Sequence, residues 1–363
     1  MKRFCENEIK ELKYGMDFRE PKYRREVFLR FYEFHLKYKS HPGGVYYAFP
    51  YIFEKLKMNQ EQKYWFCFIN GVTQNVVTTF EIFQNFPSLE NLDLKKLSSY
   101  FRLNYLKFGW DSDRKWVKNK FESCIEDYKK HLGGKTQEDF FNKFCFSTPK
   151  ENFNRVWDYV INEFAYFGRL STFSYLEYLK IAGLNIDCST LFLEDIEGSK
   201  SHRNGLCKVL GRDDLDWHDK LNPNFKGDYS LECINWLVRE GEQLLKEALE
   251  RQNCPETNYF TLESTLCCYK SWHRLNRRYP NVYNDMFYER IKRHERLWKK
   301  KMDFFWQLRQ ECLPRHLLLE SNPKDPGLKP VKQNHYLKTG QVIMMYKEWS
   351  CFKNNFNDYV NDF

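Results

Sequence analysis

Apolar residues return every three or four positions along most of this chain, and alternation with a period of two is almost absent. Within residues 24–38, Val27, Phe28, Phe31, Phe34 and then His35 or Tyr38 fall on one stripe while Arg25, Arg30 and Lys37 face away. That is the pattern of a helix that buries one side. The run stops at Ser40-His41-Pro42-Gly43-Gly44, where proline and paired glycines break a helix. The same periodicity predicts helices over 60–69, 72–86, 94–103, 113–131, 151–167, 171–181, 229–252, 262–277 and 282–298, with an aromatic segment over 45–56. The fold class expected is all-α and multi-helical.

At 363 residues the chain can bury one large core or two moderate ones. The expected organisation is an N-terminal extension over 1–23, a helical domain over 24–183, a second helical region over 184–320 and a C-terminal linker and tail over 321–363. Residues 184–226 are rich in Gly, Asp, Asn and Pro, which predicts a long irregular connection with short helices, a common place for a site. In the tail, Pro323, Pro326, Gly327 and Pro330 precede a short amphipathic piece over 336–349.

Composition narrows the function. No apolar run approaches the roughly 18 to 20 residues that cross a bilayer, so no membrane span is expected. Met1 to Phe18 mixes charges with isolated apolar residues and does not read as a secretory signal. The 12 cysteines are scattered without a C-x-x-C pair, and the neighbours Cys267 and Cys268 point in different directions on a helix. They read as reduced thiols, with no structural zinc or iron-sulfur cluster expected. A net charge of +9 together with 18% aromatic residues fits either a cationic, ring-lined groove for nucleic acid or a core filled with rings.

Four segments carry groups capable of chemistry. In Phe66 to Asn75 an apolar helix runs into a polar turn with Asn70, Gln74 and Asn75, which by itself reads as a helical hairpin capped by Thr73 or Asn75. In Glu194 to Gly205, Gly198, Ser199 and Ser201 accompany Lys200, His202 and Arg203 at a helix start. Backbone amides and cations in that setting suit a diphosphate, although P-loop spacing is absent and a solvated loop is the alternative. Glu263, Lys270 and Arg274 fall close to one helix stripe that runs on to Arg278, suiting phosphate, a substrate carboxylate or plain ion pairing. In Trp110 to Trp116, Asp113 is expected to cap a helix, Asp111 to hold magnesium or the amine of a nucleophile, and Arg114 to meet DNA.

Phe66 to Asn75, the following Phe80, Phe83 and Phe86, and Pro87-Ser88-Leu89-Glu90-Asn91-Leu92 resemble the helical domains of helix-hairpin-helix DNA glycosylases over residues 60–135. The resemblance has gaps. No Leu-Pro-Gly-Val-Gly hairpin follows Gly133-Gly134, the lysine and aspartate expected after it are not assignable, and the cluster cysteines are missing. What it implies is a scaffold that presents a flipped base without cutting the glycosidic bond, with the turn of Asn70, Gln74 and Asn75 facing the DNA.

Taken together, Arg25 to Tyr47, Trp65 to Asn75, Ser201 to Cys207 and Thr261 to Arg290 resemble the amino acid:DNA transferases of DNA-hypermodifying phages. That family is related to the alpha-glutamyl and alpha-putrescinyl thymine pyrophosphorylases, and the similarity extends over most of residues 24–320. It implies an enzyme in the cytoplasm of an infected bacterial host, acting on double-stranded DNA that carries pyrophosphorylated 5-hydroxymethyluracil. A free amino acid or amine then displaces the diphosphate. In that chemistry Lys200, His202 and Arg203, with Lys270 and a magnesium ion as further candidates, meet the leaving group. Asp111, Asp195 or His202 accepts the proton, and Arg274 or Arg278 holds the amino acid's carboxylate. The competing expectations are a glycosylase-like base-flipping enzyme and a non-catalytic DNA-binding accessory protein.

Overall fold

The computed structural model describes residues 21–37, 39, 44–217, 227, 229–272 and 282–313. Residues 1–20 of the expected extension over 1–23, the expected tail over 321–363 with its piece at 336–349, and Arg274 and Arg278 lie outside the described residues. The described residues form fourteen α-helices and no β-strand, which makes the protein all-α. The helices are α1 (Pro21–Lys37), α2 (Val45–Lys55), α3 (Gln60–Thr73), α4 (Val76–Asn85), α5 (Leu94–Leu103), α6 (Phe121–Leu132) and α7 (Gln137–Asn142). They continue as α8 (Pro149–Glu163), α9 (Arg169–Ile181), α10 (Lys200–Val209), α11 (Leu231–Arg251), α12 (Tyr259–Trp272), α13 (Val282–Trp298) and α14 (Asp303–Cys312). No helix among the described residues is long and apolar enough to cross a membrane.

Two compact units divide the chain, named here for their place in the sequence: a central unit, Val45–Ser189 with Phe287–Leu308, and a flanking unit made of the rest.

In the central unit α3 is the organising helix, buried from Tyr64 to Thr73 and packed against α4, α7 and α9. It starts at a reciprocal cap: the Gln62 amide donates to the Asn59 side chain at 2.9 Å and the Asn59 amide donates to Gln62 Oε1 at 3.1 Å. Such a cap satisfies two amides that no carbonyl of the helix can reach. Phe68 stacks on Tyr128 at 3.9 Å between ring centroids and also meets Phe167 and Tyr175. The residues over 45–56 become a helix in spite of Pro50, because Val45 to Phe49, Tyr51, Ile52 and Phe53 are all buried. Tertiary burial there outweighs the lost amide donor. Phe80 stacks on Phe304 at 4.7 Å in the same unit.

In the flanking unit α10 packs against α12 and both pack against α1. Phe28 and Phe31 of α1 meet Tyr269 of α12, and Tyr32 is hydrogen bonded to Thr261 at 2.6 Å. Most of the rings therefore fill cores. Trp116, 61% exposed, and Phe146, 70% exposed, are the aromatic exceptions among the described residues.

Candidate functional site

The structure gathers the residues singled out from the sequence into two clusters, one in each unit. In the central unit α3 ends at Thr73, Gln74 adopts a left-handed conformation with φ of 47°, and α4 begins after Asn75. A non-glycine residue in that region costs roughly 1 to 2 kcal/mol. Buried threonines and asparagines hold the turn. Thr79 Oγ1 donates to Asn70 Oδ1 at 3.0 Å and lies 2.8 Å from Thr73 Oγ1, while Asn75 caps α4 by accepting from the Thr78 amide at 3.3 Å. Gln74 Nε2 is buried with no hydrogen-bond partner among the described residues. Asn70 and Asn75, both expected to face DNA, are 2% and 6% exposed and are occupied by the turn itself.

The chain returns past this elbow at Gly109 to Asp111. Gly109 N donates to Thr78 Oγ1 at 3.0 Å and Asp111 N donates to the Thr73 carbonyl at 3.1 Å. The cap expected at Asp113 is made by Asp111, whose Oδ1 accepts from the Asp113 amide at 3.3 Å and opens a 3-10 segment, Ser112–Lys120, rather than an α-helix. Asp113 itself is exposed. The Asp111 carboxylate also pairs with Arg290, a residue whose part here the sequence did not signal. Arg114 is 3% exposed and donates to the carbonyls of Val72 and Tyr166, at 3.2 and 2.7 Å, and to Ser171 Oγ at 3.2 Å. It joins the end of α3 to the start of α9. Burial lowers its pKa, because desolvation penalises the guanidinium charge. Lys118 lies in the same unit, its amine donating to the Phe108 carbonyl at 2.7 Å; burial, then the charge of Arg293, bring it down to about 8.

The second cluster forms where α10 crosses α12 in the flanking unit. The segment with Lys200, His202 and Arg203 is a buried helix rather than a solvated loop, since His202 to Val209 are all buried. Close approach of the two helices requires Gly205, because a Cβ there would fall 2.2 Å from the Leu266 carbonyl oxygen. At the first turn of α10, Lys200 is half-buried with its amine 3.8 Å above the Trp217 ring. The half-buried Lys270 of α12 donates to Ser201 Oγ at 2.5 Å. Two cations thus come from different helices to one helix N-terminus. Just before it, the exposed Asp195 accepts from the Gly198 amide at 2.9 Å.

His202 and Arg203 sit deeper, both 0% exposed. Arg203 turns back to the carbonyls of Asp195, at 3.4 Å, and Ile196, and lies 4.6 Å from the Tyr229 ring centroid. Its charge is spent in stabilising the turn that precedes α10. His202 Nε2 lies 2.7 Å from the Leu191 carbonyl oxygen, and Nδ1 lies 3.0 Å from Glu263 Oε1, whose side chain is 7% exposed. Below them Lys208 reaches Asp213 at 2.6 Å and Asp216 at 3.1 Å, and Arg24 joins Asp213 at 2.8 Å. The sequence signalled Lys200 and Lys270 separately; their meeting at Ser201 is a product of the helix crossing.

The two candidate sites are thus a polar elbow in one unit and, in the other, cations converging on a helix N-terminus. Residues 48–279, well over half of the chain, match the family described as amino acid:DNA transferase, and the chain belongs to that family. It is a transferase whose partners are an amino acid and DNA. Over 299 residues it is 29% identical to a serinyltransferase of Salmonella phage ViI, a match that covers 79% of this chain and 72% of the relative. No solved structure matches it.

Proposed function

We propose that this phage-type transferase attaches serine to DNA that carries pyrophosphorylated 5-hydroxymethyluracil, within the cytoplasm of the infected host. The likeness to a phage serinyltransferase supports serine as the donor. One observation carries the placement of the reaction: Lys270 meets Ser201 at the first turn of α10, beside Lys200. A departing diphosphate needs its charge met in a preorganised setting, and a helix N-terminus flanked by two half-buried ammonium groups supplies that.

The nucleophilic atom of serine attacks the methylene carbon attached to C5 of the base. The carbon–oxygen bond to the diphosphate breaks with its electron pair, and the proton of the nucleophile passes to the carboxylate of Asp195. The glycosidic bond stays intact. Gln74, in the central unit, is a separate candidate DNA contact, since it is held in a left-handed turn with a buried amide donor. The test follows inorganic pyrophosphate release from pyrophosphorylated duplex. Release that requires serine and falls in Lys200→Ala and Lys270→Ala supports the assignment. Release without any amino acid, or equal in both variants, places the leaving-group site elsewhere.

A further inference from the structure

His202, Glu263 and Cys267 bring one metal-capable atom each to within 4.8 Å of one another, the one such trio among the described residues. Glu263 and Cys267 are four residues apart on α12 and share a helix face. His202 arrives from α10 because Gly205, one turn further along, lets the two helices touch. The trio therefore depends on tertiary packing, which is why cysteine spacing gave no sign of it.

We propose that these three side chains form a binding site for a zinc-class divalent cation, with a fourth position open toward the partly exposed Cys267. The histidine geometry carries the argument. A carbonyl oxygen only accepts, so the contact of 2.7 Å to the Leu191 carbonyl assigns a proton to Nε2. With Nε2 so committed, Nδ1 is the atom left for a ligand, 3.0 Å from Glu263 Oε1. A proton on Nδ1 pairs the ring with this carboxylate, and a cation bound there takes that proton's place. An imidazole that donates one N–H to a carbonyl while its other nitrogen lies near a carboxylate oxygen and a cysteine sulfur has the arrangement of a metal ligand with a fixed ring orientation.

The donor types and spacing agree with zinc. Zinc takes imidazole nitrogen, carboxylate oxygen and thiolate sulfur at about 2.0 to 2.3 Å, which sets the donors of a tetrahedral site roughly 3.3 to 3.6 Å apart. Closing the trio from 4.8 Å requires a movement of no more than about 1.5 Å, within reach of a rotation of the cysteine side chain. The two glutamate and histidine side chains are buried, and the intermediate exposure of Cys267 gives the ion a way in. Thiolate sulfur also selects against magnesium, which prefers an all-oxygen shell.

The experiment uses the full chain, stripped with a chelator and titrated with zinc, then separately with cobalt as a coloured substitute. The site predicts about one tightly held zinc per chain and a cobalt spectrum with a thiolate charge-transfer band. Cys267→Ser keeps the oxygen-for-sulfur size, leaves a partly exposed position and should fold; it is expected to lose that band and to weaken zinc binding at least about tenfold. His202→Asn, checked for helicity first, should weaken binding as well. A stripped protein that takes up no zinc and shows no cobalt band overturns the proposal. So does a band, or a zinc affinity, that Cys267→Ser leaves unchanged, since the thiolate would then come from another cysteine.

Discussion

Gly205 of α10 lies against the backbone of Leu266 in α12, so closely that a Cβ on the glycine would sit 2.2 Å from the carbonyl oxygen and 2.7 Å from the carbonyl carbon. The atoms in the way are backbone, so they cannot swing aside. Gly205→Ala should therefore push the helices apart and destabilise the protein by about 1 to 3 kcal/mol or more, despite the better helix propensity of alanine. Denaturant unfolding checks this. A variant as stable as the parent would mean that the two helices do not approach as described.

Asp213 gives the fold a dependence on acid. Burial alone would lift its carboxyl, but hydrogen bonds from Arg24 and Lys208 together with their charges hold it at about 2. An unfolded aspartate titrates near 3.9. The contribution is therefore fully present above about pH 4 and is lost as the pH falls through about 2. Asp213→Asn should lower stability at neutral pH and flatten the loss between about pH 4 and 2. The effect should be modest, because half of the carboxylate faces water, which screens it. Thermal unfolding of both proteins across that range is the measurement, and parallel curves would contradict the pairing.

How much of this was legible in the sequence depended on where each side chain finds its partner. The helices over 94–103 and 282–298 were marked at both ends, since an apolar stripe and a polar face alternate along them. Helix α10 is short and carries its apolar residues, Leu206, Cys207 and Val209, only in its second half. It buries His202, Arg203 and Asn204 because their polar atoms reach the backbones of Leu191, Asp195, Ile196 and Trp217, partners that no local pattern displays. The cap fell on Asp111 rather than Asp113 for a similar reason: the return of the chain past Thr73 fixes where the 3-10 segment starts. Candidate cations were visible as residue types, while the burial that separates Arg203 from Lys200 and Lys270 was not.

That separation has kinetic consequences. Lys200→Ala and Lys270→Ala each remove a half-buried cation beside the proposed diphosphate position, and should slow single turnover by about a hundredfold or more while leaving stability nearly unchanged. Arg203→Ala should act the other way. It strips donors from two carbonyls in a fully buried setting, so unfolding should shift by about 1 to 3 kcal/mol before any specific effect on rate is read. If all three variants lose activity only in proportion to stability, the cations of α10 and α12 have no part in the chemistry.

The elbow of the central unit offers a cleaner substitution. Gln74→Gly removes the amide from a left-handed position that glycine adopts without strain, so the fold should be preserved or slightly more stable. Affinity for duplex carrying the modified base should fall, while binding to ordinary duplex, governed by phosphate contacts and steeply weakened by salt, should change little. Titrations at two salt concentrations separate the outcomes. Equal loss on both duplexes would make Gln74 a backbone contact, and no loss on either would remove it from the DNA surface.

The transfer itself is tested most directly by the masses of nucleosides digested from pyrophosphorylated 5-hydroxymethyluracil DNA after incubation with the protein and a mixture of amino acids. The expected product is a nucleoside whose mass is that of hydroxymethyldeoxyuridine joined to serine with loss of water. An equal amount of pyrophosphate is expected in solution. An unchanged nucleoside profile, a different amino acid on the base, or free base with abasic sites would contradict that transfer.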